Sequence, residues 1–207
     1  GRVLPPGVAE PVRDPAVLGR IIDLEARAHV RRIDLRRLGI TDYGSMQARG
    51  FRRPYVNPGL EAFVDGEPLE AARWPNHGAV PIGRVVDPGS VPRNGDFSNR
   101  GGTFHFEGDR PLLWSQAEAL WLSGLFGVGY ADDTIRVAAI DREARTFTMA
   151  QAHMYGIASG RPWLTYHALN LLEEIDRPGE CFLDRGNGIL YVYPPTAVPD
   201  PEIAVSL

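Results

Sequence analysis

The sequence predicts an all-β fold, an antiparallel β-sandwich of jelly-roll type with long loops and one or two short helices. Three observations carry this. Short apolar runs of strand composition recur along the chain, three pairs of them are joined by turn residues that suit hairpins, and nowhere do strands alternate with long amphipathic helices as a parallel α/β sheet requires. The 207 residues include 23 Gly and 18 Pro, enough for many turns, and 43% hydrophobic residues, too apolar for a disordered chain. That size fits one large sandwich, so residues 1–207 read as a single domain, with residues 1–50 as an N-terminal extension. No sequence repeat of constant period is present.

The elements follow in order. Asp14 is an N-cap and Pro15 occupies a first helical position, with Val17, Leu18, Ile21 and Ile22 at helical spacing, so a short helix starts there. From Ala28 to Leu35 the pattern turns strand-like, and residues 39–50 read as a loop. Asp65-Gly66 lies between LEAFV and EPLEAARW; both residues tolerate positive φ, which predicts a two-residue hairpin turn. Residues 75–111 are rich in Pro, Gly, Asn and Asp, a long loop passage with short strands at IGRVV and TFHFE. WSQAEALWLSGLF predicts a helical turn followed by a strand, and TIRVAAIDREARTFTMAQ a second hairpin. In LLEEIDRPGECFLDRGNGILYVYPP, Pro178-Gly179 turns the chain and CFLD and ILYVY pair. Gly186-Asn187-Gly188 supplies positive-φ positions between them, a third hairpin that Pro194-Pro195 closes.

Charge excludes several partners. A net charge of −4 and a pI near 5.7 leave no electrostatic footprint for nucleic acid or an anionic membrane. All 22 basic residues are Arg, which fits a bacterial GC-rich genome, and the cluster Arg27, Arg31, Arg32, Arg36, Arg37 is interleaved with Asp23, Glu25 and Asp34 as on a solvated face. One cysteine, Cys181, allows neither an internal disulfide nor a multi-cysteine zinc site. No apolar run approaches membrane-spanning length, and the first residues have no signal-peptide core. The chain opens on Gly1 rather than Met, so a piece of a longer protein is expected.

Catalytic constellations are absent from the pattern. GIASG sets its serine one place too late for a nucleophile elbow, and GVGYAD lacks the third glycine of a dinucleotide fingerprint. The histidines His29, His77, His105, His153 and His167 have no metal-ligand spacing, so neither metal nor cofactor is expected. Asp132-Asp133 and Glu173-Glu174 are adjacent pairs that point to opposite faces of a strand and cannot flank one glycosidic bond; turn and cap roles suit them better. Aromatic residues offer more. A loop bounded by Gly156, Gly160 and Pro162 carries Tyr155, Arg161, Trp163, Tyr166 and His167, and Arg73, Trp74, Asn76 and His77 form a second cluster after the first hairpin. Aromatic faces stack on the apolar C–H faces of sugars while polar neighbours bond hydroxyls, so Tyr155, Arg161, Trp163, Tyr166, His167, Arg73, Trp74 and Asn76 are carbohydrate-binding candidates. The alternative is that Trp163 and Tyr166 are core residues, as the apolar surroundings of Trp114 and Trp121 imply for those two.

Three motifs in this order, LEAFVDGEPLEAARWPN, N-x-L-E-E-x-D-x-P-G-E over Asn170 to Glu180, and G-x-L-Y-x-Y-P-P over Gly188 to Pro195, carry a resemblance. Across residues 55–195 the chain resembles a β-sandwich module inserted between early turns of bacterial right-handed parallel β-helix proteins of carbohydrate metabolism, some of them glycoside hydrolases. Cys181 and Phe182 depart from the two aromatic residues usual there. The resemblance implies a secreted, non-catalytic accessory domain that binds or positions polysaccharide and partners the β-helix of its parent glycoside hydrolase or polysaccharide lyase. Two alternatives stand beside it: a purely structural insertion packing on the β-helix, and glycoside hydrolysis within this chain should acids such as Asp132 and Glu173 converge.

Overall fold

A computed structural model describes residues 1–56, 59–114, 117, 119–195 and 201–206. The described fold is all-β and sandwich-like, with three sheets and two short helices. It divides into two compact units: residues 1–46, 57–73 and 170–207 form the first, residues 47–56 and 74–169 the second.

The first unit holds two sheets. One runs Arg2–Val3, Ile203–Val205, Ala62–Val64, Glu67–Pro68, and the other Glu10–Pro11, Arg31–Asp34, Ile189–Val192, Glu180–Asp184, Glu70–Ala71. Leu4, Ala62, Val64, Ile203 and Val205 from the first share one apolar core with Ile33, Leu183, Leu190 and Val192 from the second. The opposite face of the second sheet buries Ile189 and Tyr191 with Val12, Ile21, Ala26, Leu172 and Ile175. Alternation with period two therefore sends the residues of Ile189–Val192 into two different cores, which explains why the run ILYV is apolar at every position.

The predicted helix forms at Pro15–Arg20, where the Asp14 side chain accepts a hydrogen bond from the Ala16 backbone N–H (2.8 Å). The strand expected from Ala28 begins later: Ala26–His29 closes a single helical turn before the strand Arg31–Asp34. The Asp23 carboxylate accepts from Ala26 N–H (2.8 Å) and starts that turn. Much of the arginine cluster is spent locally. Arg31 donates to three backbone carbonyls, Arg32 pairs with Glu10, and Arg37 pairs with Asp34.

The Asp65-Gly66 hairpin is as predicted, with Val64 opposite Glu67 and φ of 51° and 82° at the two turn residues. Its second strand is cut short because Pro68 has no N–H to give to a ladder. The chain then leaves for the other sheet, where Glu70–Ala71 runs parallel to Glu180–Asp184. The third hairpin forms with Asp184 opposite Ile189. Of its three expected positive-φ positions only Gly188 has one (φ 70°); the Asp184 carboxylate holds the rest of the turn by accepting from Asn187 N–H and Nδ2–H.

The second unit is built on one antiparallel sheet in the order Val85–Asp87, Thr103–His105, Thr146–Met149, Asp132–Asp141, Trp121–Leu125, Thr165–Leu169. Arg49–Gly50 pairs with Asp132–Asp141, and Val80–Pro81 with Thr165–Leu169. The second hairpin is present, with a bulge between Val137 and Ala139. Its core is aromatic. The Phe104, Phe106, Trp114 and Tyr166 rings surround Phe147 at centroid distances of 4.9 to 6.2 Å. Trp114 and Trp121 are buried, as their apolar surroundings imply. The helical turn expected between them rests partly on residues 115, 116 and 118, which lie outside the described residues.

Candidate aromatic binding surface

The loop that follows Arg49–Gly50 brings the first ring. Gly50 has φ 137°, and a Cβ there would stand 2.5 Å from the Asp132 carbonyl oxygen, so glycine is what lets this strand approach Asp132–Asp141. Phe51 N–H then donates to that same carbonyl (2.8 Å). Beneath it Arg53 forms a two-pronged pair with Asp133 (2.5 and 2.8 Å) and donates to the Ala152 carbonyl (2.9 Å). Burial raises the Asp133 carboxyl above the ordinary aspartate range, and Arg53 opposes that rise.

Two further loops complete the surface. His153 is buried, and its ring nitrogens lie 3.0 Å from the Gly156 carbonyl and 3.2 Å from the Ala131 carbonyl, which staples residues 153–157 to residues 126–131. The Ala158 N–H donation to the Phe126 carbonyl (2.7 Å) adds a second tie. The Tyr130 hydroxyl donates to the Tyr155 hydroxyl (2.8 Å), a bond that raises the Tyr130 phenol above its ordinary range. Phe51, Tyr130 and Tyr155 form a triangle with centroids 5.8, 6.1 and 5.8 Å apart. Trp163 stands against the residue that precedes Tyr130: its pyrrole edge lies where a Cβ on Gly129 would be 3.1 Å away, and the Arg161 guanidinium stands 5.9 Å from its ring centroid.

The candidates read from the sequence separate here. Tyr155, Arg161 and Trp163 share this surface, and Trp163 is 48% exposed. Tyr166 does not: its ring is 0% exposed, edge-on to Phe104 (5.5 Å) and Phe147 (6.0 Å) in the core of the sheet. The cause is strand parity. Tyr166 sits on Thr165–Leu169 with its side chain on the core face, whereas the half-buried His167 is turned to the other face, opposite Ser123. Of the second cluster, Arg73 falls in the first unit and Trp74 and Asn76 in the second; all three are half-buried, and Trp74 packs edge-on against Trp114 (5.5 Å). Phe51 and Tyr130, 65% exposed, were not legible as members, since neither lies near Trp163 in sequence.

Of the paired acids, Asp133 is held by Arg53 and Asp132 is exposed. Asp132 and Glu173 belong to different units. Glu173 is buried in a single 3₁₀ turn, where its Oε1 accepts from Arg20 (3.0 Å). Glu180 is buried as well, accepting from the backbone N–H groups of Asp176 (3.0 Å) and Arg177 (3.2 Å). The motif over Asn170 to Glu180 thus supplies hydrogen-bond acceptors for its own turn. In the first unit a cleft of about 680 Å³ is lined by Arg2, Asp42, Tyr43, Glu61 and Ser206 among others. Among the described residues no group of three His, Cys, Asp or Glu side chains could hold a metal ion.

No protein-family model matches the sequence, and no curated protein matches it. One solved structure, a chain named "Glycoside hydrolase", superposes with a TM-score of 0.49 at 13% identity over 86% of this chain. This chain spans 29% of that one's length.

Proposed function

We propose that this chain binds and positions polysaccharide without catalysing a reaction, as an accessory part of a larger carbohydrate-active protein. The observation that supports the reading is the half-exposed Trp163 ring, with Arg161 over it and the Phe51, Tyr130 and Tyr155 rings nearby. Apolar sugar faces stack on such rings, and the tyrosine hydroxyls and guanidinium N–H groups suit sugar hydroxyls. The β-helix partner and an extracytoplasmic location are part of the same proposal and rest on the three sequence motifs. The burial of Tyr166 favours a structural role for that residue alone.

Affinity electrophoresis of the 207-residue chain through gels containing plant and bacterial polysaccharides tests the reading. Retardation by at least one polymer is expected, lost in Trp163→Ala. Equal migration in every gel, or retardation that Trp163→Ala leaves intact, overturns it.

A further inference from the structure

The rings of the Trp163 surface are bordered by cations. Arg161 stands over Trp163. Arg93 lies in the 3₁₀ turn Pro92–Asn94, its N–H donating to the Met154 carbonyl (3.0 Å) beside Tyr155, and its charge opposes the rise of the Tyr130 phenol. Arg52 follows Phe51 directly. All three side chains are exposed, and none forms an ion pair among the described residues. Elsewhere in the same unit Arg53, Arg100 and Arg145 are each committed to a carboxylate, on Asp133, Asp87 and Asp109. The acids on the surface loops are the exposed Asp132 and Asp96, the latter accepting from Ser98 N–H (3.0 Å). The ring surface therefore carries more cations than anions, on a chain whose net charge is −4.

We propose that the ligand of this surface is an acidic polysaccharide, with Arg52, Arg93 and Arg161 taking its carboxylate or sulfate groups while the rings take its sugar faces. The inference rests on the carbohydrate reading and narrows it. The N–H edge of an exposed guanidinium matches a carboxylate or sulfate with two parallel hydrogen bonds. One exposed pair of this kind contributes little, but a polymer repeats its anion along the chain and engages several arginines in one binding event.

The test measures affinity of the 207-residue chain for polygalacturonate and alginate beside their carboxyl-reduced forms, and for dextran sulfate beside dextran. At least one acidic polymer is expected to bind tenfold or more tightly than its uncharged counterpart, with affinity falling as salt rises. Arg93→Gln with Arg161→Gln is expected to weaken that binding about tenfold, the sum of two exposed pairs, while the thermal midpoint stays put. Retention by the carboxylate or by the sulfate polymers identifies which anion is read. Equal binding of charged and uncharged forms overturns the inference and leaves the ring-surface reading standing. Acidic-polymer binding that Arg52→Gln, Arg93→Gln and Arg161→Gln together do not weaken also overturns it. Retention by none of these polymers overturns the inference, and equal migration in every gel of the wider polysaccharide panel overturns the carbohydrate reading with it.

Discussion

Tyr166 tests whether burial rather than sequence neighbourhood decides a residue's role. Its ring is fully enclosed between Phe104 and Phe147, and its hydroxyl is buried with no hydrogen-bond partner among the described residues. Burial accordingly pushes the phenol far above its ordinary range. Two substitutions pull these features apart. Tyr166→Ala empties an aromatic-sized volume from a packed core and should cost about 3 to 5 kcal/mol. Tyr166→Phe keeps the packing and removes a polar group whose unsatisfied burial costs about 1 to 3 kcal/mol, so it should be neutral or stabilising. Trp163→Ala gives the contrast. Half of an aromatic side chain's area, about 100 Å² at about 25 cal/mol per Å², bounds its loss at about 2.5 kcal/mol. Urea unfolding midpoints at fixed pH, followed by tryptophan fluorescence and far-UV circular dichroism, measure all three. A loss above about 1 kcal/mol for Tyr166→Phe would show that the hydroxyl is bonded in the folded protein and would refute the argument.

Other outcomes follow from the same geometry. Burial, outweighing hydrogen bonds from the Asp176 and Arg177 backbone and the Arg177 charge, pushes the Glu180 carboxyl up to about 7 from 4.5. A raised carboxyl keeps its proton in the folded state after the unfolded chain has released it. Its contribution is therefore complete below about pH 4.5 and is lost as the pH rises to about 7, at most about 3 kcal/mol. Unfolding measured across that window should show the fall, and Glu180→Gln should flatten it. Arg53→Ala leaves the buried Asp133 carboxylate alone and should cost about 3 to 5 kcal/mol, part of it restored by adding Asp133→Asn in a double-mutant cycle. Gly124→Ala sets a Cβ 2.0 Å from the Thr165 carbonyl, a backbone atom held by the sheet, and should cost about 3 kcal/mol or more in thermal unfolding. Gly129→Ala meets the Trp163 ring first, at 3.1 Å, a side chain that can give way, so stability should change by under about 1 kcal/mol while polysaccharide retention falls.

What the sequence made legible was local chemistry. Asp14-Pro15 starts a helix because one side chain caps it and one ring presets φ, and Asp65-Gly66 makes a hairpin because both residues accept positive φ. Neither needs a distant partner to be read. The parity of Thr165–Leu169 is another matter. Tyr166 and His167 are neighbours in a polar, aromatic stretch, and which of them faces the core depends on the strand's register with Trp121–Leu125, where Gly124 stands opposite Tyr166. That pairing connects residues about 40 apart and leaves no mark within either run.

The candidate surface shows the same limit in a sharper form. The aromatic loop identified Tyr155, Arg161 and Trp163, which sit within nine residues of one another. Phe51 and Tyr130 join them only because Gly50 lets a short strand close on Asp132–Asp141, and because His153 ties two loops through carbonyl oxygens. Gly50 reads locally as one more turn residue and His153 as a lone histidine, so their consequence is invisible until the sheet is formed. A candidate surface assembled from three loops of one sheet is specified less by its own rings than by the glycine and histidine that let the loops meet. Substitutions at those two positions should therefore scatter the rings while leaving every ring in place in the sequence.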